Sequence, residues 1–224
     1  MPNSTPNCFM FLELGVLPIR HEINKRKLMF LFHIHTLDSS DPVKKIYNQQ
    51  KNFPHEKNWT NEVKDIINEY EIRVDDITSI SRNVWKNRVK FSVLQKAFEK
   101  LQSERSQKTK VKNLQYESLC QQEYTSKLPA YLSTLLMKIR SRSLSCRNNH
   151  GSSTSQDDKH CRLCHQAVET QEHMVNCYAV NGDDEWLTLD LYQQPLRCVD
   201  ETRLQRILSR INNFNDMVGE LEVI

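Results

Sequence analysis

The sequence predicts a mainly α-helical fold, and three observations carry that expectation. Only four glycines and seven prolines occur in 224 residues, and Lys, Glu, Leu and Gln, all good helix formers, are plentiful. Apolar residues recur three and four apart along several segments, the spacing of one helix face. Prolines stand at positions that open such segments, notably Pro18, Pro42 and Pro129, where a missing N–H costs a helix nothing. Hydrophobic residues make up 38% and charged residues 26%, with a mean hydropathy of −0.66, so each helix is expected to bury one face and solvate the other.

Leu12-Glu-Leu-Gly15 ends a short apolar run, and Pro18 opens a helix reaching Leu37. Ile23, Leu28, Phe30, Leu31 and Ile34 give it a face broad enough to be largely buried, with Lys25-Arg-Lys27 expected to interrupt it as a basic turn. Asp38-Ser-Ser-Asp-Pro42 closes this helix, and Asp41 caps the next, over 43–51. Residues 52–58 read as a loop. Trp59 begins an amphipathic helix through Val63, Ile66, Ile67 and Tyr70.

A turn over 73–81 leads into a longer helix, 83–103, with Val84, Trp85, Val89, Val93, Ala97, Phe98 and Leu101 as its stripe. Trp85 is expected to pack rather than to stack on a ligand. Residues 103–112 lack an apolar period and predict a flexible basic linker. Pro129 opens a helix with Tyr131, Leu132, Leu135, Leu136, Ile139 and Leu144 as its apolar residues. Asn148 to Lys159 is a loop, Asn181-Gly-Asp-Asp a turn, and 201–218 a closing helix through Leu204, Ile207, Leu208, Ile211 and Phe214. The expected divisions are 1–57, 58–104, 105–150, 155–180 and 181–224.

No apolar run approaches the length of a bilayer span, and the N-terminus lacks the pattern of a signal peptide. Seven cysteines without such a signal predict a reducing, intracellular setting, nucleus or cytoplasm. The net charge of +3 hides an asymmetry. From Lys86 to Arg147 there are fourteen Lys or Arg against four Glu, the electrostatic footprint of a phosphate-binding surface. Lys108, Lys110, Lys112, Lys138, Arg140, Arg142 and Arg147 are the expected contacts to RNA or DNA backbone.

Cys161-Arg-Leu-Cys164 followed by His173-Met-Val-Asn-Cys177 carries the strongest chemical signal. Two residues between thiols let a tight turn aim both at one ion, and His173 and Cys177, four apart, share a helical face. Three sulfurs and one imidazole fill a tetrahedron, which predicts one structural Zn2+ and no open catalytic position. His160 and His165 flank the first pair and remain alternatives to His173. Three thiolates on a divalent ion leave a net −1, which Lys159 and Arg162 are placed to offset. With this knuckle the expected architecture is complete: several amphipathic helices, a small CCHC zinc knuckle, and a C-terminal helix.

Leu12-Glu-Leu-Gly-Val-Leu-Pro18, Ile23-x4-Leu28-Met-Phe, Trp59-Thr-Asn-Glu-Val, Ser106-Gln-Lys-Thr-Lys-Val-Lys-Asn-Leu-Gln-Tyr116, Met137-Lys-Ile-Arg-Ser-Arg142 and the knuckle with Glu169-Thr-Gln-Glu-His173 together resemble the C-terminal part of the reverse transcriptases of non-LTR (LINE-type) retrotransposons. The resemblance runs from Leu12 to Cys177 and is most specific at the knuckle. It implies a fragment, because the polymerase palm is not in this sequence. Of the pairs Asp75-Asp76, Asp157-Asp158 and Asp183-Asp184, none has the aromatic and strand-forming neighbours of a polymerase metal box.

The expectation is therefore a non-catalytic fragment without a small-molecule substrate or membrane partner. It would hold RNA or DNA and, as the resemblance implies, sit beside a reverse transcriptase core. Two alternatives stand: a zinc-stabilised helical adaptor binding protein through 59–70 and 201–218, and a decayed element with no host function.

Overall fold

The computed structural model describes residues 5–52, 58–149, 159–181, 187, 189 and 200–222. The fold is mainly α, and among the described residues only isolated β-bridges occur, with no named strand. The helices are α1 (Asn7–Leu14), α2 (Ile19–Thr36), α3 (Pro42–Asn52), α4 (Trp59–Glu69), α5 (Arg82–Ser106), α6 (Tyr124–Lys127), α7 (Ala130–Arg140), α8 (Gln171–Asn176), α9 (Tyr178–Asn181) and α10 (Glu201–Glu222). The expected loop at 148–159 and the turn beginning at Asn181 lie largely outside the described residues, as do residues 53–57.

Two compact units result: unit 1 is Met1–Gly15 with Ser103–Ile224, and unit 2 is Val16–Gln102. The five expected divisions are thereby redrawn. Residues 16–52 and 58–102 share one core, because α2 and α4 pack against each other and against the first turns of α5. The knuckle, the helix before it and the closing helix share the other.

In unit 2, Leu28, Leu31 and Phe32 meet Val63, Ile66, Tyr70, Ile72, Ile77, Trp85, Val89 and Val93. Trp85 is fully buried and donates its indole N–H to the Leu28 carbonyl at 3.0 Å, which satisfies the one polar atom that burial would otherwise leave without a partner. Pro18 stands at the N-cap of α2 as expected, and the Asp41 side chain accepts from the Val43 N–H at 2.8 Å at the start of α3. The basic turn expected at Lys25–Lys27 does not form; α2 is continuous there, since Lys25 and Arg26 project outward and pair with Glu22 one turn back. Ile23 and Phe30 stay exposed for the same geometric reason: they fall outside the stripe that Leu28, Leu31 and Ile34 bury.

Unit 1 gathers Tyr124, Leu132, Leu135, Leu136, Ile139, Leu144 and Cys146 with Met174, Val175, Leu204, Ile207, Ile211, Phe214 and Val218. Its α7, α8 and α10 pack together. The flexible linker expected at 103–112 is instead folded: α5 continues to Ser106, a turn follows, and Val111 and Leu114 are buried. The Arg105 guanidinium holds that turn by donating to the carbonyls of Val111 and Lys112. Among the described residues, no helix is long and apolar enough to cross a membrane.

Candidate metal centre

Cys161, Cys164, His173 and Cys177 come together as a cluster whose four donor atoms all lie within 4.8 Å of one another. The two half-motifs are shaped by local chain chemistry. The first is a tight turn in which the His165 N–H donates to the Cys161 carbonyl at 3.0 Å. Closing it puts His165 in the left-handed region, φ 54°, an uncommon conformation for a residue with a Cβ. His165 is exposed, and neither it nor His160 belongs to the donor cluster.

The second half-motif is α8. Thr170 caps it, its hydroxyl accepting from the His173 N–H at 3.1 Å, and Cys177 stands at its C-cap. His173 therefore presents Nε2 on the face that Cys177 closes.

Two distances fit a tetrahedral ion. Metal–sulfur bonds of about 2.3 Å set two sulfurs about 3.8 Å apart at the tetrahedral angle, and the sulfurs of Cys161 and Cys177 are 3.8 Å apart. A sulfur and an imidazole nitrogen on the same ion are expected about 3.5 Å apart; Cys164 Sγ and His173 Nε2 are 3.3 Å apart. The residues present can hold a metal.

Electrostatics points the same way. Burial pushes the Cys177 thiol up to about 12, and burial also raises Cys161. Cys164 is buried too, but backbone N–H groups of Gln166 and Ala167, with the neighbouring thiols, bring it below its ordinary value. Burial lowers His173, with the Glu169 charge working against the shift, and so favours the neutral imidazole that ligates. The Cys161 and Cys177 thiols therefore resist ionising, and a cation among the donors removes that obstacle.

Glu169 was not expected and organises the centre. Its carboxylate is fully buried and accepts from the Arg162 N–H (3.1 Å), Nε (3.0 Å) and guanidinium NH2 (2.8 Å), and from the Arg147 N–H (3.0 Å). Its backbone adds bonds to Lys159 and Asn148. Although burial alone would raise it, these donors, led by Arg162, hold its carboxyl below the usual carboxylate range. Arg162 is thus engaged with Glu169 and stacked against the Phe214 ring, which removes it from the role of offsetting charge on the ion. The Glu169-Thr-Gln-Glu-His173 stretch was visible in sequence, but nothing in it marked Glu169 as buried.

The expected phosphate contacts divide. Lys108, Lys112 and Lys138 are exposed, and Lys110, Arg142 and Arg147 are partly exposed. Arg140 is not available to a phosphate: it is 1% exposed and its Nε donates to Glu13 at 2.8 Å. Helical periodicity put it beside Lys138 and Arg142 in sequence, but the last turn of α7 faces the core at that residue. Asp76, the second acid of the first Asp-Asp pair, is held in a two-pronged ion pair by Arg88 at 2.5 and 2.8 Å. Asp157, Asp158, Asp183 and Asp184 lie outside the described residues. No protein-family model matches this chain, and no match was found among curated proteins or solved structures.

Proposed function

We propose that the chain is a zinc-stabilised, non-catalytic fragment of a retrotransposon reverse transcriptase that holds RNA or DNA by its backbone. The donor cluster of Cys161, Cys164, His173 and Cys177 carries the reading. Three thiolates and an imidazole in tetrahedral array suit Zn2+ rather than oxygen-seeking cations, and four protein ligands leave no position for substrate. When bound, the ion supplies positive charge to the thiolates and ties the first half-motif to α8. The residues around it do the rest. Glu169 fixes the turn, Thr170 fixes α8, and Met174, Val175 and α10 seat the module in the unit 1 core.

That placement gives zinc a purpose in nucleic-acid binding without contact. It fixes the unit that displays Lys108, Lys110, Lys112, Lys138, Arg142 and Arg147. Such a surface grips phosphates without reading bases, so binding weakens steeply as salt rises. The test is anisotropy of labelled single-stranded RNA and DNA across a salt series. Lys108→Ala/Lys110→Ala/Lys112→Ala should make the slope of log affinity against log salt shallower by about 2. An unchanged slope would sink the backbone-contact model.

Against the adaptor alternative stands the packing of the two helices it would use. Val63, Ile66 and Tyr70 are occupied in the unit 2 core, and Leu204, Ile207, Ile211, Phe214 and Val218 in the unit 1 core.

A further inference from the structure

Unit 2 carries a cavity of about 500 Å³ walled by Lys25 and Met29 of α2 and by Arg82, Asn83, Lys86 and Lys90 of α5. The volume lies within the roughly 300–1,000 Å³ of small-ligand pockets. Arg82, Lys86 and Lys90 follow one another at intervals of four, about 6 Å per step along the helix axis, and so line one face. None of the three is ion-paired among the described residues.

This arrangement is locally unfavourable. Like charges four apart repel, and the first turn of α5 has no acid to match the positive end of the helix. Of the other α5 cations, two are ion-paired: Arg88 with Asp76, and Lys96 with Glu71 at 2.6 Å. Lys25 pairs with Glu22 at 2.5 Å, so of the four lining cations only the one on α2 is matched by a carboxylate. Local rules broken without an internal gain mark functional positions.

We propose that this cavity binds a compact polyphosphate, a small molecule carrying two or more closely spaced phosphoryl groups. Arg82, Lys86 and Lys90 take the oxyanions, and Met29 with the lysine stems forms an apolar wall for the rest of the ligand. The confinement of the charge argues for a compact ligand over a nucleic-acid strand. A strand needs a track of cations running past the cavity, and the next cation along α5, Lys96, is already neutralised. The proposal is independent of zinc and of the unit 1 surface.

The experiment is calorimetric titration of the full chain with inorganic tripolyphosphate at physiological salt. Parallel titrations use orthophosphate and a single-stranded oligonucleotide. Tripolyphosphate should bind one to one and more tightly than orthophosphate. Each of Arg82→Ala, Lys86→Ala and Lys90→Ala, all at exposed positions, should weaken it about tenfold. The control Lys45→Ala/Lys64→Ala/Lys100→Ala, which removes three cations that do not line the cavity, should not. Lys108→Ala/Lys110→Ala/Lys112→Ala should leave tripolyphosphate binding intact, which separates this site from the nucleic-acid surface. Equal binding by the cavity variants and the control would overturn the proposal. So would orthophosphate binding as tightly as tripolyphosphate, or a site that takes the oligonucleotide and not tripolyphosphate.

Discussion

Glu13 and Arg140, 127 residues apart, form an ion pair with a 2.8 Å Nε–Oε1 contact and no solvent exposure of either side chain. Two tyrosines complete the arrangement: Tyr116 donates to Oε1, and Tyr124 to Oε2 at 2.6 Å. The Arg140 guanidinium also lies 5.8 and 5.9 Å from their ring centroids. Burial, and then the Glu13 charge, hold both phenols well above the ordinary tyrosine range, so both tyrosines stay protonated across physiological pH. The pair joins α1 to the unit that also holds the metal centre.

Removing one partner leaves the other charged and buried. Arg140→Ala should destabilise unit 1 by about 3–5 kcal/mol, read as a lowered denaturant midpoint. Arg140→Ala should not further flatten the salt dependence of nucleic-acid binding beyond its effect on folding. A full-strength fold with weakened, flatter binding would return Arg140 to the surface.

Gly15 ends α1 in the left-handed region at φ 62°, and a Cβ there would stand 2.1 Å from the Gln121 backbone nitrogen and 2.3 Å from the Cys120 carbonyl carbon. Backbone cannot move aside as a side chain can. Gly15→Ala should therefore cost more than the roughly 1–2 kcal/mol of the left-handed conformation alone. It should also loosen the backbone bond from the Gln122 N–H to the Glu13 carbonyl, 2.9 Å, seen as faster exchange of that amide.

Metal removal should separate the two units in their response. Elemental analysis should find one zinc per chain, and a chelator should unfold α8 and loosen α10 while the Trp85 core of unit 2 persists. Hydrogen exchange resolves the two. Because three thiols must lose protons to ligate, zinc affinity should fall with pH by up to about a thousandfold per unit. A weak pH dependence would mean that fewer than three sulfurs ligate.

Glu169 makes unit 1 sensitive to acid. Its folded value lies below its ordinary 4.5, so the unfolded chain takes up the proton first as pH drops. The stabilisation is complete above about 4.5 and is lost as pH falls through the folded value. Glu169→Gln should remove that part of the acid transition and cost about 1–3 kcal/mol at neutral pH through its unmatched donors. Identical acid midpoints in the two proteins would refute the role.

Much of this protein was determined locally, by its sequence. The helices at 42–52, 59–69, 130–140 and 201–222 follow from apolar spacing and from caps such as Asn58, whose side chain accepts from the Asn61 N–H. The donor set follows from ligand chemistry and from spacings short enough for one turn and one helix. Trp85 was legible as a core residue because it repeats with Val89 and Val93.

Only the tertiary structure decided the rest. Arg140 and Lys138 look alike in the sequence, and whether one cation meets solvent and the other Glu13 depends on what lies across α7. The same holds for α1, whose short apolar run could not show which unit it joins, and for Glu169, whose donors come from Arg147 and Arg162. Periodicity reports which face of a helix is buried. The partner across that face depends on chain closure over long separations, which no local pattern encodes.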